Sequence, residues 1–346
     1  MTALLRKTLI SALFCILAAG NAMASEVLMP FVLAFKTTGD VSAVAGDVKG
    51  KLTGAGFEVV GEYSPYDGAH IIGVTNDALK GHAAKSERGG YGAVQRVAIT
   101  KNGDEIEVIF TNPVYMAAAY RMASDLADVR AALDGALGAE MDYGSEKNLT
   151  AEDLRKYHYT VMMEYFDDPS ELAEYDSYDE AVKAVEDSLA AGLGATAKVW
   201  RVDIPGKNET VFGVALKGKD ADDCSGDEFV MSRVDKSSPR STAHLPYEIL
   251  VTDGDVEALY ARFRIAINWP HLPMVASETG GTFVKIMCSP DAIEEGLMQA
   301  AGEEPNRSTG LPGRLRKTSA PACGRGFFSS IIHPPCIYRP ADRTVP

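Results

Sequence analysis

His70-Ile71-Ile72-Gly73-Val74 returns later in the chain as Thr210-Val211-Phe212-Gly213-Val214. Working outward from these stretches, other features recur in the same order. Thr100-Lys101-Asn102-Gly103-Asp104 has a counterpart in Val251-Thr252-Asp253-Gly254-Asp255. Both read as hairpins, because Asn-Gly and Asp-Gly supply the positive φ a two-residue turn requires. Asn112-Pro113 is matched with Asn268-Trp269-Pro270 as a strand exit. Upstream of each copy a helical pattern closes on glycine, at Gly54-Ala55-Gly56 and at Gly192-Leu193-Gly194. The chain reads as one unit written twice.

The first copy starts with a strand at Met29 to Lys36. A helix capped by Asp40 follows, with Val41, Val44, Ala45, Val48 and Leu52 on one face. Four strands come next: Phe57 to Tyr63, His70 to Thr75, Ala93 to Thr100 and Glu105 to Thr111. A helical stretch from Pro113 to Leu137 places Met116, Tyr120, Leu126, Val129 and Leu133 inside. Thr150-Ala151-Glu152-Asp153 is a capping-box pattern opening a short helix. The second copy repeats the order. It has a strand at Tyr159 to Tyr165 and a helix at Asp179 to Ala191 buried through Ala181, Val182, Val185 and Leu189. Strands follow at Ala197 to Ile204, Thr210 to Leu216, Glu248 to Thr252 and Val256 to Ile267, then a helix at Asp291 to Ala301. Phe283 to Met287 adds an extra strand, and residues 217–243 are an insertion.

This order predicts an α+β fold of two tandem β-α-β4-α repeats, each an antiparallel sheet with helices on one face. The predicted division is a leader at 1–24, a first repeat at 25–141, a connector at 142–156, a second repeat at 157–302 and a disordered basic tail at 303–346. Val44 to Phe57, Gly73-Val74-Thr75-Asn76 and Val94 to Pro113 resemble the bacterial domain-of-unknown-function family numbered 302 (DUF302), as does His244-Leu245-Pro246-Tyr247 through Asp253-Gly254. The two copies together cover most of residues 27–301. The resemblance implies a fold related to the TATA-binding protein and no particular activity. The first copy departs from the pattern, with Gly90-Tyr91-Gly92 where a Leu-Pro step is expected. Fold kinship does not license DNA binding, because function resides in sites.

Residues 1–24 read as a cleavable export signal. Arg6 and Lys7 precede an apolar run from Leu9 to Gly20, and Ala22-Met23-Ala24 forms the small-residue cleavage box. The run is too short to serve as a membrane anchor after processing. The expected product is exported, in the periplasm. The chain carries −14. Residues 303–346 contribute +4 and the leader +2, which leaves about −20 on the body. Such acidity excludes nucleic acid as a partner. Cys15 leaves with the signal, and Cys224, Cys288, Cys323 and Cys336 remain. Three disulfide pairings are open to them, among which Cys224–Cys288 with Cys323–Cys336 is one.

No nucleophile elbow, phosphate loop, His-Glu-x-x-His or Cys-x-x-Cys pattern is present in the sequence. No catalytic residue, cofactor or metal is assigned. The acidic run from Asp220 to Glu228 places Gly226 wrongly for an EF-hand. His70 heads a strand, and Tyr115 and His271 follow the two Asn-Pro exits, where Asn112 and Asn268 are expected to cap. Arg262 and Arg264 alternate with Phe263 and Ile265, so a strand there presents both guanidiniums on one side, where they receive an anionic ligand or, as the favoured reading, form a surface salt bridge with the many carboxylates. Tyr157-His158-Tyr159, with Tyr165 and Phe166, forms an aromatic cluster suited to packing between the repeats. These residues define three expectations. The first is a non-enzymatic module binding a small apolar or anionic ligand. The second is an interaction or structural module docking an exported protein. The third is an enzyme whose site converges on His70, Tyr115 and His271.

Overall fold

Asp40 opens the first helix because its carboxylate accepts the backbone N–H groups of Ser42 and Ala43. The computed structural model describes residues 26–276 and 280–303. The first unit runs β1 (Phe31–Thr37), α1 (Val41–Gly54), β2 (Glu58–Tyr63), β3 (Ala69–Thr75), α2 (Asp77–Ala84), β4 (Gln95–Asn102) and β5 (Glu105–Thr111). It ends with α3 (Pro113–Ala119), α4 (Ala127–Leu137), β6 (Met141–Tyr143) and the capping-box helix α5 (Ala151–Arg155). The second unit runs β7 (Ser170–Glu174), α6 (Tyr178–Ala191), β8 (Thr196–Asp203), β9 (Glu209–Leu216), α7 (Asp227–Val234), β10 (Tyr247–Thr252) and β11 (Asp255–Ala258). It closes with α8 (Ala261–Asn268) and α9 (Ser289–Ala300). The fold is α+β, with two antiparallel sheets ordered β2-β3-β4-β5-β1-β6 and β8-β9-β10-β11-β7.

The shared strand order extends to irregularities. Register slips once in β2 between Val59 and Gly61, and once in β8 between Lys198 and Trp200. It also slips where β1 meets β5 and where β7 meets β11. Each sheet packs its own helices on one face. Ile72, Val97 and Phe110 share a core with Val48 of α1 and Leu133 of α4. Phe212, Ile249 and Val251 pack with Val185 of α6 and Leu297 of α9. The opposite faces are covered reciprocally. A 3-10 turn at Gly89–Gly92 lies against β9 and β10, and another at Thr242–His244 lies against β4 and β5. Gly90 lets the turn approach closely: a Cβ on it would sit 2.4 Å from Leu250 Cδ1, so that side chain would have to move.

The recurrent Gly-Val stretch has its explanation at this seam. Trp200 is 1% exposed. A Cβ on Gly73 would fall 2.5 Å from the indole, and one on Gly213 2.3 Å from it. Gly61 pairs with Gly73 as Trp200 pairs with Gly213, so Gly61 and Trp200 hold corresponding positions. A Cβ on Gly61 would lie 1.9 Å from the Val199 carbonyl oxygen. One unit thus provides the ring and the other the space. Beside them Arg96 stands opposite Gly73 and Glu248 opposite Gly213. These two side chains form a fully buried ion pair across the seam.

Several expectations are corrected. Tyr159 to Tyr165 is irregular rather than a strand, with Met162 at φ 71°. The first strand of the second unit is β7, whose Ser170 and Leu172 face inward. The stretch from Pro113 to Leu137 is two helices, because Leu126 takes a left-handed conformation at φ 56°. Strand β11 ends at Ala258, and Ala261–Asn268 is a helix buried all round except at Arg262. No amphipathic stripe therefore betrays it. Phe283–Ile286 is a 3-10 turn rather than a strand. The boundary at 141 cuts β6, which pairs with β1. Helix α2 and helix α7 inside the insertion were not anticipated. Cys224 and Cys288 form a disulfide tying the loop before α7 to the start of α9, with Cα atoms 5.8 Å apart. Cys323 and Cys336 lie outside the described residues, as do the leader and the tail.

Candidate ligand-binding pocket

The matched Asn-Pro exits are not equivalent in the fold. Asn112 is the N-cap of α3: its Oδ1 accepts from Val114 N–H, and its Nδ2 donates to the Met29 carbonyl at 2.8 Å. Asn268 ends α8, and its Nδ2 donates to the Arg264 carbonyl. The N-cap position of α8 belongs to Tyr260. Tyr115 and His271 are therefore not counterparts. The Tyr115 hydroxyl donates to the Ile267 carbonyl at 2.8 Å, and burial pushes its phenol well above the ordinary value. His70 lies on β3 between Ser64 and Glu62, beside a shallow polar recess lined by Asp40 and Lys101. Neither Tyr115 nor His271 lines that recess, so the three side chains do not converge.

Helix geometry also separates the two arginines. Arg264 is buried at the seam, where Nη2 donates to the His244 carbonyl at 2.6 Å and also to the Pro246 carbonyl. The ring of His244 is held neutral by burial, with Arg264 and Arg96 acting in the same direction. Arg262 points the other way. Its Nε donates to Glu164 Oε2 at 3.1 Å, and its Nη2 to Glu164 Oε1. Arg262 borders an apolar pocket of about 210 Å³.

The pocket forms at the C-terminal end of α8. Two tyrosines satisfy carbonyls that the helix terminus leaves open, and a third holds the segment beyond it. Tyr115 binds Ile267, Tyr157 binds Ala266 at 3.2 Å, and Tyr159 binds Leu272 at 2.6 Å. Ile265 and Ala266 of the helix line the pocket together with Tyr159 and Met163, and with Trp269, Leu272, Met274 and Phe283 from the chain beyond. Two thioethers in the lining give it soft, deformable walls. The Trp269 ring packs against His244 with centroids 4.6 Å apart. The residue is 4% exposed, and its indole N–H has no hydrogen-bond partner. A buried donor without an acceptor costs about 1–3 kcal/mol, which an acceptor that reaches the Trp269 N–H would recover. Nδ1 of the neighbouring His271 is likewise buried without a partner.

Sequence reasoning found Arg262 and the Tyr157–Phe166 cluster but missed Trp269, Met163, Met274 and Phe283. The available signal was the density of aromatic and Met residues in 157–166 and 269–287. Among the described residues no group of three or more His, Cys, Asp or Glu side chains is placed to hold a metal ion. Compared with known proteins, the chain matches no family model, no curated protein and no solved structure. The functional reading therefore rests on its own geometry.

Proposed function

We propose that this protein is an exported, non-enzymatic binder of a small apolar carboxylate, held in the pocket at the end of α8. The observation that carries the reading is an unpartnered indole N–H on an apolar lining, with the Arg262 guanidinium at its edge. A ligand carboxylate accepts from the Trp269 N–H and competes with Glu164 for the Arg262 guanidinium, while its hydrocarbon part meets Ile265, Leu272 and Phe283. The volume exceeds that of a cavity able to hold benzene, about 150 Å³, and falls below the usual drug-sized pocket of about 300 Å³. A single-ring or short-chain acid fits that range. Export follows from the leader pattern and is supported by the Cys224–Cys288 disulfide, which suits an oxidising compartment. The common strand order and the paired register slips of the two sheets support a duplicated unit.

A second reading, docking of an exported protein, draws on exposed apolar side chains near the pocket. Met162 is 94% exposed, Val161 80% and Val275 74%. Intrinsic fluorescence separates the two. The chain has two tryptophans, one in the pocket and one sealed at the seam. Titration with benzoate, phenylacetate and hexanoate should change the emission of the native protein and leave that of W269F unaltered. R262Q should weaken the binding. If none of these acids changes emission or melting temperature at millimolar concentration, the carboxylate reading fails and the docking reading takes its place.

A further inference from the structure

A second recess, of about 230 Å³, lies between the first sheet and the insertion of the second unit. Its inner end is lined by Thr100 from β4, by Tyr66, and by Met231, Asp235 and Arg240 from the insertion. Asp235 is 2% exposed. Its Oδ1 accepts from Ser241 N–H at 2.9 Å, whereas its Oδ2 has no partner. The hydroxyl of Thr100, also 2% exposed, has none either. The Tyr66 hydroxyl is engaged with Thr242 at 2.9 Å. Lys101 and Lys236, both exposed, stand at the rim with Asp67 and Glu228.

A carboxylate oxygen and a hydroxyl buried without partners on two residues that line one recess are acceptors for a compact N–H donor that reaches them, and a charged one also offsets the buried negative charge. The rim lysines suit an anion a few ångströms further out. We infer that this recess binds a small zwitterion of amino-acid size, its ammonium on Asp235 and Thr100 and its carboxylate toward Lys101 and Lys236. The site is separate from the pocket at α8 and does not depend on it.

The recess also makes a proton-linked expectation. Burial pushes the Asp235 carboxyl up to about 7, opposed by Arg240 and Lys236 and reinforced by Glu107. Tyr66 and Tyr143 also face it. An ammonium requires the ionised carboxylate, so binding near pH 6 releases a proton and tightens as pH rises toward 8.

The test is the melting temperature of the full chain with glycine, L-alanine, L-serine or γ-aminobutyrate, using methylammonium and acetate as controls. At least one zwitterion should raise the melting temperature by a few degrees at saturation, and neither control should match it. T100V removes a hydroxyl with no partner, so the protein should fold and lose most of the shift. D235N keeps the acceptor for Ser241 and should abolish it. No shift with any zwitterion, an equal shift from methylammonium, or an undiminished shift in T100V would overturn the assignment.

Discussion

The seam between the sheets and the pocket at α8 share one helix and treat it in opposite ways. At the seam Arg264 is enclosed and its Nη2 donates to two carbonyls, and Trp200 fills a slot cut by three glycines. At the pocket Arg262 is over a third exposed and paired with one flexible carboxylate. A neighbouring indole there has nothing to bond. Close packing makes the seam intolerant of change. Both regions hold an indole N–H without a partner, Trp200 at the seam and Trp269 at the pocket, but the first is packed against glycines and the second belongs to a residue that lines a cavity. The first contrast to break is therefore steric. Gly61→Ala would drive a methyl into a backbone carbonyl 1.9 Å away, with an expected loss of more than about 4 kcal/mol. Trp200→Ala should cost roughly 3–5 kcal/mol, whereas W269F at the pocket should cost about 1 kcal/mol or less. Urea unfolding of the three variants ranks them.

The second break is electrostatic. Arg96 and Glu248 are enclosed on both sides, and burial raises the Glu248 carboxyl against the opposing pull of Arg96. Glu248→Ala leaves a guanidinium unpaired, and roughly 3–5 kcal/mol should be lost. Replacing both partners, as R96M with E248L, should recover most of that loss. A double-mutant cycle in urea measures it. If the double variant is as unstable as the single one, the pair is held by its surroundings rather than by its charges.

Much of each unit was legible in the sequence, but not how the two units meet. The Gly-Val recurrence, the two hairpins and the α1 and α6 faces all follow from turn chemistry and local period. What escaped was set by tertiary context. The strand read through Ile267 failed because α8 is buried on nearly every side, and alternation and helical period cannot then be told apart. Tyr159 to Tyr165 has the composition of a strand, yet Tyr159 is pinned by its hydroxyl to Leu272 and Met162 reverses the backbone. Of the pocket, Arg262 was named for a geometry it does not have. Trp269 could not be singled out, because an unsatisfied indole is visible only after its neighbours are placed.

A third test uses acidity to compare the interior with the rim. Asp227 is buried beneath the second face of the first sheet, bonded to Tyr63 and to Leu216 N–H, and burial pushes its carboxyl up to about 7. The ordinary value is 3.8. A raised acid holds its proton in the folded chain after the unfolded chain has released it. Its contribution to stability is full below about pH 4 and is lost as pH rises to about 7. Asp235 acts in the same direction. His244, held neutral, opposes both below about pH 6.5. D227N should match the native protein near pH 4 and exceed it by a few kcal/mol at pH 8. Chemical denaturation of the two proteins across that range isolates Asp227, since His244 is common to both.

The smallest expected effect sharpens the comparison most. Arg262 and Arg264 differ by two residues, and on a helix that separation places them on nearly opposite faces. Removing the partly exposed charge in R262Q breaks one ion pair with Glu164 and should cost less than about 1 kcal/mol. R264Q leaves the carbonyls of His244 and Pro246 short of a donor inside the seam, and roughly 3 kcal/mol or more should be lost. Carboxylate binding should reverse that order, falling severalfold in R262Q. In R264Q it should be retained wherever the protein is folded, because the guanidinium of Arg264 is committed to the seam. Equal losses of binding in both variants would mean that α8 moves as one body and that the pocket is an extension of the seam. Unequal losses in the stated order would establish that opposite faces of one helix divide the work, one for cohesion and the other for recognition.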